Sequence, residues 1–417
     1  MPPLDHRWVL LICSLILSPS VLAEAVRSAR AMRCEQPPVI DGRLNEEAWD
    51  RAPVIDGLTA VRPTTDRPLS ERTEVRILFD DEALYVGFRC DDRNPAGISG
   101  RGRERDGSVL SGDYVSFFID TFGDRRNGYA FAVSPDEGRW DALISNHFTA
   151  NTNWDGIWAV KCTTDAKGWI AEIAIPLKTL SYDSKLEIWG FNFSRNIARK
   201  GEMGMWNAAR PESQVYYAGN AGRITGLEGL PRNLGFELQP YALSRYNYES
   251  GNSKSLTGDV GLDVRWRVGT GLNATLSLNT DFAETEVDQR RINFGRFPLF
   301  YPEKRKFFLE DSGIYQFADL NQGLVIPYYT RRIGLSRTGE PVPILGAGKI
   351  SGRAGVYELG VTAAMVDEHA GVDSKPLFAG RLTRPLFGDS TMGVIATAGD
   401  PRSNGDNYVT FSRSSMR

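Results

Sequence analysis

Histidine and cysteine are scarce in this chain of 417 residues, which contains three histidines and four cysteines. Only His147 and His369 lie outside the N-terminal region. This disfavours a histidine-rich zinc site and a histidine-based nucleophilic triad. Cys34, Cys90 and Cys162 also follow that region. Their odd number leaves at least one thiol unpaired, and the sequence does not determine their disulfide state.

The chain also lacks a large excess of charge of either sign and a long apolar run. The net charge is −3, and no basic stripe with interleaved aromatics indicates a nucleic-acid partner. The apolar run at residues 8–17 is too short to span a bilayer, and Pro19 and Ala23 follow it. This pattern predicts a signal peptide over residues 1–23 and an exported mature chain. No later run suits a transmembrane helix, so membrane contact would require a barrel.

Glycine and aromatic residues, by contrast, are plentiful, with 42 glycines and 11% aromatics, a mixture that suits strands joined by tight turns. Residues 24–232 contain short apolar runs, in which Leu84, Val86 and Phe88, for example, share one side. The predicted strands are 73–79, 84–90, 113–120, 129–134, 139–145, 169–175 and 189–195. So many closely spaced strands predict a β-sandwich of jelly-roll type.

Residues 233–417 follow a different pattern, with longer strands that carry polar or charged residues on their second face. Val260 and Leu262 alternate with Asp263 and Arg265 in one such strand. An apolar stripe opposite a polar face is typical of an outer-membrane barrel, and a soluble sheet with one wet face is the alternative. The strands are few for a closed barrel, so we expect an antiparallel barrel-like domain that is either closed or truncated. The fold class is therefore all-β throughout.

A dense charged stretch, DFAETEVDQRRINFGRFPLFYPEKRKFFLED, occupies residues 281–311. Glu284 and Glu286 would share one strand face roughly 7 Å apart, which makes them weak candidates for a glycosidase pair. Several cations follow, however, and nothing isolates one carboxyl in an apolar pocket. We interpret the stretch as a network of carboxylates and cations that neutralise one another in the polar lumen of a barrel. A ligand path and a catalytic site are the alternatives. Its aromatic residues would form an interfacial girdle or a folded-in loop.

Several ordered motifs resemble a known family. VIDGRLNEEAW (39–49), ERTEVRILFDDEALYVGFRCDD (71–92), the stretch 111–144 and GWIAEIAIPLKTL (168–180) resemble the family 9 carbohydrate-binding module. The form of the module that these motifs resemble is fused to a barrel domain of unknown function of the DUF5916 type. FYPEKRKFFLED (300–311) looks like the hallmark of that second domain. The resemblance implies a sandwich in which two tryptophans clamp a terminal sugar and calcium ions stabilise loops. It also implies a membrane barrel downstream and, in some members, attachment to xylan-degrading enzymes.

The candidate sugar-binding residues are Trp140 and Trp154, with Arg139 and Asp141 as polar partners. Flat aromatic faces stack on sugars while a few placed polar groups bind their hydroxyls. Trp154 stands in the polar loop NTNWDG, where a core role is difficult to arrange. Core packing is the alternative for any tryptophan. It is the prediction for Trp158, Trp169 and Trp189, whereas Trp49, which follows the acidic turn NEEAW, is expected to plug the end of the sandwich.

The turn DTFGDRRNG is a candidate calcium site. Asp120, Asp124 and Asn127 offer the oxygen ligands that calcium prefers. The spacing is not that of an EF-hand, and an acidic turn with Asx capping is the alternative. Any calcium here would have a structural role.

The sequence thus predicts an exported protein of the outer membrane or periplasm of a Gram-negative bacterium. We expect it to bind an oligo- or polysaccharide, in polysaccharide capture or catabolism, without turnover. One alternative is a hydrolase of O-glycosyl bonds, and another is a structural envelope protein that binds no ligand.

Overall fold

The computed structural model describes fifteen stretches of the chain. They are residues 26–145, 147–152, 154–207, 214–231, 236–248, 254–268, 271–280, 303, 305–309, 311–315, 326–336, 342–369, 371–386, 390–405 and 407–415. The expected signal peptide over residues 1–23 therefore lies outside the described residues. No helix in these stretches is long and apolar enough to cross a membrane.

Strands dominate these stretches, which confirms the all-β prediction. The first part of the chain contains β1 (Ser28–Arg30), β2 (Met32–Arg33), β3 (Thr59–Arg62), β4 (Thr73–Phe79), β5 (Ala83–Asp91), β6 (Tyr114–Asp120), β7 (Gly128–Val133), β8 (Arg139–Ser145), β9 (Thr149–Asn151), β10 (Ala159–Asp165), β11 (Gly168–Pro176), β12 (Trp189–Ile197), β13 (Glu202–Met205) and β14 (Gly222–Thr225). A short helix, α1, spans Glu47–Arg51. Each of the seven strands predicted from alternation corresponds to an observed strand.

These strands form two sheets that pack face to face as a sandwich. One sheet has the order β1-β14-β12-β6-β7-β8-β9, with β13 beside β12 and β3 beside β13, and the other has the order β10-β11-β5-β4-β2. Alternate residues of both sheets, such as Phe88, Phe117 and Phe193, point into one core. The rings of Phe88 and Phe117 lie 5.8 Å apart. Period-2 alternation explains this arrangement, because one side of every strand faces the opposite sheet.

Helix α1 closes the outer side of the five-stranded sheet. Trp49 is fully buried there, and its indole Nε1 donates to Glu172 Oε1 at 3.0 Å. The other Glu172 oxygen accepts from the backbone nitrogens of Asp41 and Gly42, each at 2.9 Å. One buried carboxylate therefore holds both the helix and the VIDG turn. The prediction that Trp158, Trp169 and Trp189 lie in the core is confirmed, because all three are buried between the sheets. Trp49 is buried in a separate cluster on the outer side of the five-stranded sheet, and not at the end of the sandwich as predicted.

The second part of the chain forms an eight-stranded antiparallel sheet in sequence order. Its strands are β15 (Glu237–Tyr248), β16 (Lys254–Val268), β17 (Leu272–Thr280), β18 (Ile344–Ala354), β19 (Tyr357–Val366), β20 (Lys375–Pro385), β21 (Thr391–Ala398) and β22 (Tyr408–Ser415). Within the described residues, β15 and β22 each pair on one side only. The described part of the barrel-like domain is therefore an open sheet.

This sheet buries polar residues and exposes apolar ones. On its inner face Ser277, Ser351 and Thr362 are at most 3% exposed. The outer face carries large apolar side chains that are at least one-third exposed, among them Val260, Trp266, Leu276, Leu278, Ile350, Val361, Met365, Phe378, Leu382, Met392 and Val394. The inner face also buries apolar residues such as Val366 and Leu377, so the feature that sets this sheet apart from a water-soluble one is its exposed apolar outer face.

Two segments of the chain cover the inner face. In the first, α2 (Lys306–Leu309) buries Phe307 and Phe308 against the sheet. Lys349 Nζ donates to the carbonyl oxygen of Phe307 at 2.7 Å, and Ser351 Oγ donates to Asp311 Oδ2 at 2.6 Å. The second segment, 326–336, is joined to the first by Arg305. The aromatic end of the charged stretch is therefore a folded-in loop.

The sandwich contacts the sheet at one end of its strands. Arg353, near the end of β18, forms an ion pair with Asp124. In the hairpin between β16 and β17, the Arg267 guanidinium lies over the Tyr182 ring, 5.6 Å from its centre. Asn273 Nδ2 donates to Ser181 Oγ at 3.3 Å. These contacts join the two parts through polar groups.

Candidate functional site

Strand β8 and the loop after it hold all four sequence-predicted sugar-binding residues, but they do not face one ligand. Successive residues of a strand point to opposite faces. Trp140 therefore faces away from the space between the sheets, whereas Arg139 and Asp141 face toward it. Trp154 lies on the Asp141 side. The structure thus separates the two candidate tryptophans.

Trp140 belongs to a second core on the outer face of the nine-stranded sheet. It is 9% exposed and packs with Tyr114 and Phe118. The Tyr216 ring lies 6.3 Å from the indole. The described geometry gives Trp140 a packing role.

Asp141 is the anchor of the remaining cluster. Its carboxylate is fully buried, and both oxygens accept from Arg105 Nη2 at 2.7 Å. Oδ2 also accepts from the backbone nitrogen of Gly156 at 2.6 Å. Arg105 in turn donates to the Gly156 carbonyl oxygen at 2.8 Å. Asp141 and Arg105 therefore hold the loop around Trp154 against the end of β8.

The Trp154 ring is partly exposed and packs against the edge of the sandwich core. It lies 5.1 Å from the Tyr129 ring and 6.1 Å from the Phe131 ring. Gly156 is required next to it, because a Cβ atom at that position would lie only 2.7 Å from Trp154 Cη2. The ring is thus fixed from two sides, by aromatic residues below and by the Gly156 backbone.

Charged side chains surround this tryptophan loop. Arg105 Nε lies 2.7 Å from Asp155 Oδ1, and the Asp155 side chain is 65% exposed. The carboxylates of Asp106, Asp141 and Asp155 come within 4.8 Å of one another. Burial and the nearby Asp141 raise the pKa of Asp106 to about 6. Donors and acceptors that can bind sugar hydroxyls are therefore concentrated here.

Arg139, the fourth predicted residue, lies beside the cluster. Its Nη1 donates to the Trp158 carbonyl oxygen at 3.0 Å. Its guanidinium stands over the Trp158 ring, 5.7 Å from the centre. Arg139 thus secures the far end of the Trp154 loop.

The predicted calcium turn is filled by hydrogen bonds. Asp120 is fully buried and accepts from the backbone nitrogens of Phe122 and Arg125. Asp124 accepts from the backbone nitrogen and the amide of Asn127, and it also pairs with a guanidinium of the second sheet. These bonds are those expected for the alternative, an acidic turn with Asx capping, and the structural calcium site stays a prediction.

The weak catalytic candidates, Glu284 and Glu286, lie outside the described residues. The sequence reasoning missed Arg105, the central cation of the Trp154 cluster. Its segment, RGRERDG, has no periodicity that would identify one arginine among three. The signal that could have found it is the uncompensated Asp141 on a buried strand face, because a buried carboxylate requires a partner.

Comparisons with known proteins agree with this architecture. Residues 40–217 match the family described as carbohydrate family 9 binding domain-like. Residues 233–361 match the domain of unknown function DUF5916. A search of the curated proteins finds no match. The chain therefore contains a carbohydrate family 9 binding-like domain followed by a DUF5916 domain.

Solved structures of family 9 modules are similar to the first domain. One, from Caldicellulosiruptor kristjanssonii in complex with cellotriose, is 18% identical with a TM-score of 0.37 and covers 50% of this chain and 96% of its own. Another from the same organism, in complex with glucose, is 18% identical with a TM-score of 0.35 and covers 49% of this chain and 98% of its own.

Proposed function

We propose that the protein binds carbohydrate through its sandwich, with Trp154 as the stacking residue and the groups of Arg105 and Asp155 as hydroxyl partners. The observation that carries this proposal is the partly exposed Trp154 ring, which is fixed by Gly156 and surrounded by charged donors and acceptors. A ring that is already in place loses little entropy when a sugar stacks on it. The match of residues 40–217 to a carbohydrate-binding family supports the same ligand class.

Binding without turnover fits this cluster better than hydrolysis. A glycosidase needs one carboxyl kept protonated and a second one ionised across the scissile bond. Here Asp106, Asp141 and Asp155 offer oxygens within 4.8 Å of one another, which is closer than the roughly 5 to 9.5 Å between the carboxyls of a glycosidase. Asp141 is also engaged by Arg105 and the Gly156 backbone. The hydrolase alternative rests on Glu284 and Glu286.

Titration calorimetry of the full chain in detergent would test the proposal. Xylo- and cello-oligosaccharides should give saturable heat, and Trp154→Ala should weaken affinity at least about tenfold. Trp154→Phe should restore part of the affinity, because it keeps a flat ring. Val54→Ala, at an exposed apolar position that is 45% exposed, is the control.

Absence of heat with every glycan would reject the proposal. Sugars released from the glycan in the calorimeter cell would favour the hydrolase if a Glu284→Gln or Glu286→Gln variant no longer released them. Repeating the titration with calcium and with a chelator tests the structural calcium prediction.

We further propose that the eight-stranded sheet places the exported protein at the outer membrane. The exposed apolar outer face carries this proposal. Leu278 and Trp266 are 44% and 38% exposed there, while Ser277, next to Leu278, is fully buried on the other face. Lipid favours this distribution, whereas water opposes it.

Binding to phospholipid vesicles tests the membrane proposal with two arginine variants, whose positions are almost equally exposed. Leu278→Arg, on the outer face, should reduce insertion by about 2 to 4 kcal/mol if the residue lies near the bilayer centre. Val54→Arg, on the sandwich, should insert like the unchanged protein. Equal insertion of all three proteins, or no insertion of any, would contradict the membrane proposal.

A further inference from the structure

Three short segments meet at the turn between β8 and β9, where an aromatic surface lies open. His147 bonds to the Arg126 carbonyl oxygen through its backbone nitrogen, at 2.8 Å. Its own carbonyl oxygen accepts from the Ala218 nitrogen, at 2.8 Å. The Arg125 guanidinium donates to the carbonyl oxygen of Gly219. The segments are therefore held together independently of any ligand.

The rings at this meeting point lie nearly parallel. The Phe148 and Tyr217 rings have centres 6.2 Å apart and planes 20° apart. The His147 and Tyr217 rings have centres 6.1 Å apart and planes 24° apart. Phe148 is 48% exposed, and the other two rings are partly exposed. The result is a cluster of near-parallel rings in which Phe148 is the most exposed, rather than a single exposed side chain.

Two backbone features fix this aromatic surface in place. A Cβ atom at Gly219 would lie 2.7 Å from Tyr217 Cε1, so the tyrosine ring rests directly on the glycine. His147 has a φ of 76°, a conformation that costs energy for a residue with a side chain. Strained residues of this kind persist where the surroundings enforce them, and they are frequent at ligand-binding positions.

The surface is distinct from the Trp154 site. Tyr217 lies beside Tyr216, which packs on the outward-facing Trp140. Trp154, by contrast, packs on Tyr129 and Phe131, which point between the sheets. The two sets of rings therefore belong to different packing clusters.

We propose that Phe148 and Tyr217 form a second carbohydrate-contact surface, which stacks one sugar ring of a glycan chain. The proposal rests on the carbohydrate binding proposed for the same domain. A sugar ring fits better than an apolar protein segment, because the exposed Phe148 ring lies near the exposed Arg125 guanidinium, a donor suited to hydroxyl groups. Two separate contacts would let the domain engage a polysaccharide at two places, which raises apparent affinity for long chains.

Affinity electrophoresis of the full chain in gels containing xylan or soluble cellulose derivatives tests this second surface. Phe148→Ala should weaken retention by the polysaccharide about tenfold, while its affinity for short oligosaccharides that occupy the Trp154 site stays unchanged. Phe148→Tyr should restore retention. Val54→Ala, of nearly equal exposure, should behave like the unchanged protein.

The outcomes separate the two proposals. If Phe148→Ala and the unchanged protein are retained equally while Trp154→Ala is not retained, the second surface is rejected and the proposed function stands. If the unchanged protein binds no glycan, the proposed function falls and the second surface falls with it. If Phe148→Ala loses short and long glycans equally, the surface is part of the first site, and the inference of a separate contact is overturned.

Discussion

Replacing Asp141 with alanine should both destabilise the sandwich and disturb the Trp154 loop. The change leaves the Gly156 N–H without its 2.6 Å acceptor and the Arg105 guanidinium without two 2.7 Å contacts. Breaking a buried ion pair on one side costs about 3 to 5 kcal/mol. The Arg105 side chain is 29% exposed and keeps Asp155 as a partner, so the lower end of that range applies to it. The unpaired Gly156 amide adds about 1 kcal/mol.

The sum predicts a loss of about 3 to 4 kcal/mol in the free energy of unfolding of the sandwich. Chemical denaturation followed by tryptophan fluorescence measures it, because most of the tryptophans lie in this domain. Asp141→Asn keeps the shape and one acceptor oxygen, so it should lose less. The same Asp141→Ala protein should bind oligosaccharides more weakly, since the Trp154 ring is no longer held.

A double-mutant cycle with Arg105→Ala decides whether the pair acts as described. Residues that share a buried network couple by about 0.5 to 3 kcal/mol. We expect the double variant to be more stable than the sum of the single losses implies. Additive losses, or a loss below about 1 kcal/mol for Asp141→Ala, would refute the anchoring role.

Two further predictions concern buried carboxylates elsewhere in the sandwich. Burial and the nearby Asp124 raise the pKa of Asp120 to about 7, so the folded state holds this proton more tightly than the unfolded state does. Its stabilising effect is therefore complete below about pH 4 and is lost as the pH rises to about 7. Asp120→Asn should flatten this pH dependence in thermal melts, and an unchanged slope would contradict the assignment. Glu172→Ala leaves the Trp49 indole and two backbone amides unpaired and should cost at least about 3 kcal/mol in denaturation experiments. The exposed Glu47→Ala should change stability by less than about 0.5 kcal/mol, and similar effects of the two changes would rule out the role of Glu172.

The longer, largely buried strands could be predicted from the sequence, and the shortest ones could not. β4 and β8 have the predicted bounds because each is an apolar and largely buried run. β10 is mostly exposed, and its apolar side consists only of Val160 and Cys162. β1, β2 and β9 have at most three residues each, which is too few for a period to be recognised. β1 and β2 also pair with strands far away in the chain.

The candidate site was only partly predictable for related reasons. Trp154 could be recognised because polar neighbours make a core role improbable for it. The alternation in RWDALIS already implies that Trp140 and Asp141 face opposite sides, yet the composition of the region suggested one cluster. Arg105 reaches Asp141 across 36 positions of sequence. Contacts of this kind follow from the packing of two loops, which no local pattern encodes.

The position of the sandwich relative to the sheet connects the two proposals. Arg267 and Asn273 flank the hairpin between β16 and β17, while Arg353 and Glu358 flank the hairpin between β18 and β19. All four contact the sandwich or its turn at Asp124 and Asn127. These hairpins lie at the same end of the strands, since every second connection of an antiparallel meander returns to one edge. If the apolar outer face lies in lipid, the polar contacts fall at the rim of the sheet, outside the hydrocarbon layer, where charged groups can be hydrated. The sheet would then hold the sandwich at one membrane surface, and both proposed carbohydrate contacts would belong to a domain that stands in water.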